Sequence, residues 1–227
     1  QAYGGEIIKV GDDYAEDEVA VAERERIALQ LSKKIKNSFF VNQADNFYNR
    51  EAYIDTLAKE LQDAVPNLNE LFGAIGTGGS LCGTAIGLNK RLLNVNINAV
   101  EPIGSVIFGG NGGPYYQSGT GNPSNAPIPS IIDYSVINNH YYVSDIDAFN
   151  TCRYFAKHYG LLLGGSSGGV LYTAINELAK RKDSGVAVAL MCDGGEKYIE
   201  TIFNDAWMEK RNLLNYNIET QLKRSIL

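Results

Sequence analysis

Three glycines and two hydroxyls, Gly76-Thr77-Gly78-Gly79-Ser80, follow the apolar run from Leu71 to Ile75 and precede a helical segment from Leu81 to Leu93. Those residue types in that order suit the capture of an anion. Glycine lets the backbone turn tightly and brings several N–H groups to one point, the hydroxyls add donors, and the next helix contributes the positive end of its dipole. A second turn, Gly164-Gly165-Ser166-Ser167-Gly168-Gly169, and a third, Asp193-Gly194-Gly195-Glu196, repeat the arrangement, each again after an apolar run. Other reactive chemistry finds little support. Cys82, Cys152 and Cys192 are far apart and odd in number, which argues against disulfides and zinc. His140 and His158 lie near no nucleophile motif, so a hydrolytic triad is not expected.

The elements that must position these turns alternate along the chain. Glu6 to Val10 is expected to be a short strand, Asp17 to Asn37 a helix, and Ser38 to Val41 a strand; Asn49 is expected to cap a helix through Tyr53, Leu57 and Leu61. Strand Leu71 to Ile75, the first turn, helix Leu81 to Leu93 and strand Ile97 to Val100 come next. Ser144-Asp145-Ile146-Asp147 is a capping box opening a helix to Tyr159. Leu161 to Leu163 enters the second turn, whose helix carries Val170, Leu171, Ala174, Ile175 and Leu178 on one face. Val186 to Met191 is a continuous apolar run of the kind found in a parallel strand covered on both faces. The pattern predicts an α/β fold, a parallel twisted sheet flanked by helices. One stretch, from Pro102 to Pro129, is rich in Gly, Pro, Asn and Ser and is too long for a mere connection; it holds Gly119-Thr120-Gly121, a candidate wall for a ligand.

With 227 residues, 44% of them hydrophobic and 20% charged, the chain can bury a core of its own. A net charge of −6 argues against nucleic acid or an anionic membrane surface as partner, so a bound anion must be held locally. No stretch reaches the length of a membrane span and no signal peptide is recognised at the start, so a cytoplasmic protein is expected.

Taken together, Gln43 with Asn46, Gly76 to Ser80, Val100-Glu101-Pro102, Gly119-Thr120-Gly121, the run Gly160 to Gly168 and Asp193-Gly194-Gly195-Glu196-Lys197-Tyr198 resemble the cysteine synthase and cystathionine β-synthase group in family order. Its members are pyridoxal-phosphate enzymes of the tryptophan synthase β-like fold. The resemblance implies that Gly76, Thr77, Gly78, Gly79 and Ser80 hold the cofactor phosphate, and that Ser166 shares a hydrogen bond with the pyridine nitrogen. A neutral hydroxyl there leaves the ring nitrogen unprotonated, which suits β-elimination over transamination. Read from the residues alone, Ser166 is a helix N-cap, and it can hold both roles. Gln43 matches a glutamine near the substrate carboxylate; Gly119, Thr120 and Gly121 match a loop that closes over the bound amino acid. The implied reaction is β-replacement on an O-activated L-serine, acetylated or phosphorylated, with sulfide, homocysteine or an amine as nucleophile. The glycine-rich segment from Gly109 to Tyr116 departs from housekeeping cysteine synthases and tilts the expectation toward a specialised pathway.

The Schiff-base lysine of that family has no counterpart. Lys90, Lys157, Lys180, Lys182 and Lys197 all lack its context, and Gln1 to Ile8 resembles the last strand of the family's small domain. The expectation is therefore a later part of a longer polypeptide: a remnant of the small domain over residues 1–42, the large cofactor-binding domain over 43–213 and a tail over 214–227. The parent is expected to be a homodimer acting on a small-molecule amino acid; the tail would pack on a partner subunit or fray. Two other readings stay open at this stage. One is a catalytically dead scaffold that binds a partner peptide at the old site. The other is a nucleotide-binding protein, although the first turn lacks the Lys-Ser/Thr ending of a P-loop.

Overall fold

Alternate residues of two central strands dictate the layers. The computed structural model describes residues 2–10, 21–91, 94–181 and 185–226. Four parallel strands, β1 (Leu68–Ala74), β2 (Asn96–Pro102), β3 (Asn139–Val143) and β4 (Val186–Ala189), form one sheet in the order β3-β2-β1-β4. Strand β1 pairs with β2 from Glu70↔Asn96 to Ala74↔Val100. Side chains along a strand point alternately to the two faces, so one face of this pair presents Phe72, Ala74 and Val100 and the other Leu71, Ile75, Ile97 and Ala99.

Each face carries its own helices. Helix α4 (Gly79–Lys90), with α2 (Phe47–Asp55) and α3 (Leu57–Ala64) against it, covers the second face through Leu81, Ala85 and Leu88. A Cβ at Gly83 would strike the carbonyl of Arg50, so only glycine lets α2 lie this close. Helices α5 (Asp145–Tyr159) and α6 (Gly165–Ala179) cover the first face through Phe149, Val170 and Ala174. The capping box opens α5 as expected, with the Asp147 amide donating to Ser144 Oγ at 3.0 Å.

Helix α1 (Val21–Lys34) buries no residue. Four expectations are corrected in the amino-terminal part and at the sheet edge. Glu6 to Val10 and Ser38 to Val41 form no strand, because among the described residues neither pairs in a ladder with another strand. Asn46, not Asn49, caps α2, accepting from the Tyr48 amide at 3.1 Å. The run from Val186 does pair in parallel with β1, but at the edge of the sheet, and its four strand residues stay half-buried. Residues 17–20 and 92–93 of two expected helices lie outside the described residues.

The carboxyl-terminal segment packs on this chain's own helices. After α7 (Asp205–Lys210), α8 (Asn217–Ile226) folds back on α5 and α6, with Ile218 and Leu222 buried. Its Glu219 accepts from Lys223 at 2.8 Å and from Lys157 at 3.2 Å and lies 3.0 Å from His158 Nε2. The lysine hydrogen bonds, Lys223 first and then Lys157, hold this carboxylate down at about 2, against an ordinary value of 4.5. A depressed acid supports the fold above its unfolded range and loses that support as pH falls through its folded value. Hydrogen exchange over residues 217–226, corrected for intrinsic rates, is therefore expected to quicken between pH 4.5 and 2, and Glu219→Gln to abolish that step.

Candidate active site

The carboxyl ends of parallel strands are where an α/β sheet gathers its ligand-binding turns, and three glycine turns meet that edge here. Strand β1 stops at Ala74, Gly78 caps α4 in the left-handed region at φ 82°, and the first helical hydrogen bond runs from the Cys82 amide to the Gly78 carbonyl at 2.9 Å. Gly76, Thr77 and Ser80 are half-exposed, Gly78 and Gly79 buried. Thr77 Oγ1 accepts from the Gly79 amide at 3.3 Å and from Asn49 Nδ2 at 3.2 Å.

Gly119-Thr120-Gly121 lies directly on this turn. The carbonyl of Ile75, last residue before the cradle, accepts from the Gly121 amide at 2.8 Å and from the Thr120 hydroxyl at 3.0 Å. A Cβ at Gly76 would sit 3.3 Å from the Gly119 carbonyl. Between the two turns opens a cavity of about 490 Å³, lined by Gln43, Gly76, Thr77 and the segment from Tyr115 to Pro123, and flanked by Arg24 and Glu25 of α1. The structure thus brings Gln43, Gly76, Thr77, Gly119, Thr120 and Gly121 to one cavity, while Gly78, Gly79, Ser80 and Ser166 lie outside its lining.

The second and third turns are tied to each other. The Gly164 amide donates to the Asp193 carbonyl at 3.1 Å, Ser167 Oγ to the same carbonyl at 3.2 Å, and the Gly195 amide to Leu162 at 3.0 Å. Gly164 is the cap of α6, so Ser166 is not; it sits two residues inside the helix, buried, and its hydroxyl makes no hydrogen bond among the described residues. Asp193 takes the Tyr198 hydroxyl at 2.8 Å and Lys197 at 3.4 Å on Oδ2, while its buried Oδ1 has no hydrogen-bond partner. Burial, then this carboxylate, pushes the Tyr198 phenol up to about 12.

The long segment after β2 is a built wall. Glu101, fully buried, accepts from Ser105 Oγ, from the Ile107 amide at 3.2 Å and from the Phe108 amide at 3.2 Å. Ser105 Oγ in turn accepts from the Asn122 amide at 2.9 Å. Asp145, in the first turn of α5, takes the Tyr116 amide at 2.8 Å and the Gln117 carboxamide at 3.1 Å, and burial raises its carboxyl. Burial also pushes the phenol of Tyr115, which lines the cavity, up to about 12. Sequence reading assigned no part to Asn49, Tyr115, Ser118 or Asp145 in this site. Of these only Asn49 carried a signal, being an asparagine six residues after Gln43 and close to a helix start.

The family model for pyridoxal-phosphate dependent enzymes matches residues 1–193. The chain belongs to that family. It is 44% identical over 225 residues to a putative cysteine synthase of Sinorhizobium fredii, covering 98% of this chain and 66% of that one. Two solved structures share its fold. A hydrogen sulfide-producing enzyme of Fusobacterium nucleatum superposes with a TM-score of 0.76 at 33% identity, over 87% of this chain and 65% of that one. An O-acetylserine dependent cystathionine β-synthase of Helicobacter pylori gives a TM-score of 0.72 at 30% identity, over 78% and 57%. The chain spans less than two thirds of the length of each of these proteins. The fold expected from the sequence, a tryptophan synthase β-like sheet flanked by helices, is thereby found, and pyridoxal 5'-phosphate is the family's cofactor.

The residues present fit that cofactor. A glycine turn opening a buried helix, with the hydroxyls of Thr77 and Ser80 half-exposed beside it, is a donor set for a phosphate monoester. Ser166 is a buried residue whose hydroxyl makes no hydrogen bond among the described residues and is not itself enclosed, which leaves it available to a ring nitrogen.

Proposed function

We propose that the full-length protein catalyses pyridoxal-phosphate-dependent β-replacement on an O-activated L-serine, O-acetylserine or O-phosphoserine, with sulfide as nucleophile. One observation carries the reading: the Gly121 amide and the Thr120 hydroxyl both donate to the carbonyl of Ile75, the residue from which the cradle starts, and Gly76 and Thr77 line one cavity with Gly119-Thr120-Gly121, which supports a phosphate and an amino acid bound side by side. When bound, the cofactor supplies an electron sink for charge at the substrate's α-carbon. In this reading Gly76, Thr77, Gly78, Gly79 and Ser80 hold the phosphate by amides and hydroxyls. Ser166 meets the ring nitrogen as a neutral partner. Gln43 and residues 119–121 orient the substrate carboxylate, and the closed loop excludes water. The proton-transfer lysine is assigned to no residue of this chain.

Homocysteine as nucleophile is the second reading, favoured by the likeness to the Helicobacter pylori enzyme. The apolar residues left exposed before α2, Ile7, Ile8, Ile35, Phe39 and Val41, together with an α1 that buries nothing, support the assignment of residues 1–42 to a small domain that packs on further protein. We place the parent as a cytoplasmic homodimer. No helix of the described residues is long and apolar enough to cross a membrane.

The test is direct. Full-length holoprotein is given each O-activated serine with sulfide or homocysteine, and amino-acid products are identified by mass spectrometry. Cysteine formation is expected, and Ser166→Ala is expected to lower cofactor affinity about tenfold, the worth of one lost hydrogen bond to a charged or strongly polar partner. A holoprotein that releases neither acetate nor phosphate from these donors would sink the reading.

A further inference from the structure

Asn49 stands between the two halves of this site. Its Nδ2 donates to the Gln43 carbonyl at 2.7 Å and to Thr77 Oγ1 at 3.2 Å. A carbonyl only accepts, so the Gln43 contact fixes which end of the carboxamide is the NH2 group. Both of its hydrogens are then committed, one to the segment that carries Gln43 and one to the cradle. On the other side, Thr77 Oγ1 already accepts from the Gly79 amide at 3.3 Å. Two N–H donors occupy both lone pairs of the hydroxyl, which leaves its single hydrogen as the only group it can offer outward. The carboxamide oxygen of Asn49 lies where a Cβ on Gly79 would fall, so the side chain is wedged against the first turn of α4.

We propose that Asn49 is a positioning residue that forces Thr77 to act as a pure donor toward the cofactor phosphate and tethers the Gln43 segment to the same cradle. The inference deepens the cofactor reading given above and rests on it. A site in which one carboxamide holds both segments couples them: loss of Asn49 frees the Thr77 hydroxyl to turn away from an anion and releases Gln43 from its register with the cradle.

Full-length apoprotein is titrated with pyridoxal phosphate, followed by its visible absorption band, and with inorganic phosphate as a competing anion. Asn49→Ala is expected to weaken both about tenfold. Asn49→Asp, equal in size, cannot donate and would itself accept the Thr77 hydrogen beside an anion; about a hundredfold loss is expected. Should Asn49→Ala fail to fold, Asn49→Asp carries the test. Because Asn49 acts on the phosphate through Thr77, the double variant Asn49→Ala/Thr77→Val is expected to bind no more weakly than Thr77→Val, within about twofold. With cofactor saturating, KM for the O-activated serine is expected to rise several-fold in Asn49→Ala. Unchanged cofactor affinity in Asn49→Ala, fully multiplicative losses in the double variant, or an unchanged KM in Asn49→Ala would overturn the proposal. A wild-type protein that binds no pyridoxal phosphate would defeat the cofactor reading, and this inference with it; a wild type that binds normally beside an indifferent Asn49→Ala would defeat the coupling alone.

Discussion

Full-length Gly78→Val retains its folded sheet and no longer retains pyridoxal phosphate. Gly78 sits at φ 82°, a region that costs an ordinary L-residue roughly 1–2 kcal/mol and a β-branched one more. Space is short as well as conformation. A Cβ would lie 2.9 Å from Cγ1 of Ile132, 3.2 Å from its Cα and 3.4 Å from Cys82 Sγ. The isoleucine side chain can rotate away, but its backbone cannot, so the turn itself must shift. That shift displaces the amides of Gly79 and Ser80 and the hydroxyl of Thr77 together. Several charge-assisted hydrogen bonds are lost at once, and an affinity loss above about a hundredfold is expected, with only a few degrees taken from Tm because the layers beneath are untouched. Gly109→Ala is the control. Gly109 has a similar φ, 95°, yet a Cβ there meets nothing within 4 Å, so the variant keeps the backbone penalty and should bind cofactor as wild type does. Equal affinities for Gly78→Val and wild type would show that the cradle does not hold the phosphate.

The turns of this site were legible because glycine carries meaning of its own: few residues can occupy Gly78, and the sequence can display that requirement without a fold. The capping box at Ser144 was legible for the same reason, since its donor and acceptor lie three residues apart. Strand pairing is different. Glu6 to Val10 and Ser38 to Val41 have the composition of strands, but a strand exists only where another backbone receives it, and sequence alone does not show the receiver. Strand β3 lies where sequence periodicity assigns no element; in Asn139-His140-Tyr141-Tyr142 the polar Asn139 fits because its carboxamide joins Asn98 at 3.0 Å, and Asn98 joins Glu70 at 3.0 Å, across three strands. His140 stacks on Phe108 with ring centroids 4.5 Å apart, an aromatic from the long segment that periodicity left blank. Asn49 was the subtler miss. An asparagine near a helix start reads as its cap, but Asn46 takes that post and frees Asn49 for the cradle, a choice decided by tertiary distances and not by local propensity.

Glu101 shows how far a buried charge can act from its own position. Its side chain is wholly enclosed and its two oxygens are the acceptors for the Ser105 hydroxyl and the Ile107 and Phe108 amides. Glu101→Ala leaves those three donors without an acceptor. Each buried, unmet donor costs about 1–3 kcal/mol, so a loss of about 3–9 kcal/mol is expected, a large share of the roughly 5–15 kcal/mol that a domain holds in total. At about 2–4 °C per kcal/mol for a chain of this size, Tm should fall by about 6–36 °C. The functional effect follows the bonds outward. Ser105 Oγ, oriented by Glu101, is what holds the Asn122 amide, and Asn122 follows Gly121 in the loop that closes on the substrate. With that support weakened, the loop depends on its bonds to Ile75, on the Val106 amide to the Asn122 carbonyl and on Asp145. KM for the O-activated serine is therefore expected to rise more than about tenfold, while cofactor affinity, which depends on the cradle across the cavity, changes by less than about threefold. Glu101→Gln separates charge from shape: its carbonyl can still accept, but its NH2 group points hydrogens at N–H donors, and a Tm between those of the wild type and the alanine variant is expected. A Glu101→Ala protein with wild-type Tm and wild-type KM would mean that the loop is held by its other contacts, Asp145 with Tyr116 and Gln117, and not by this carboxylate.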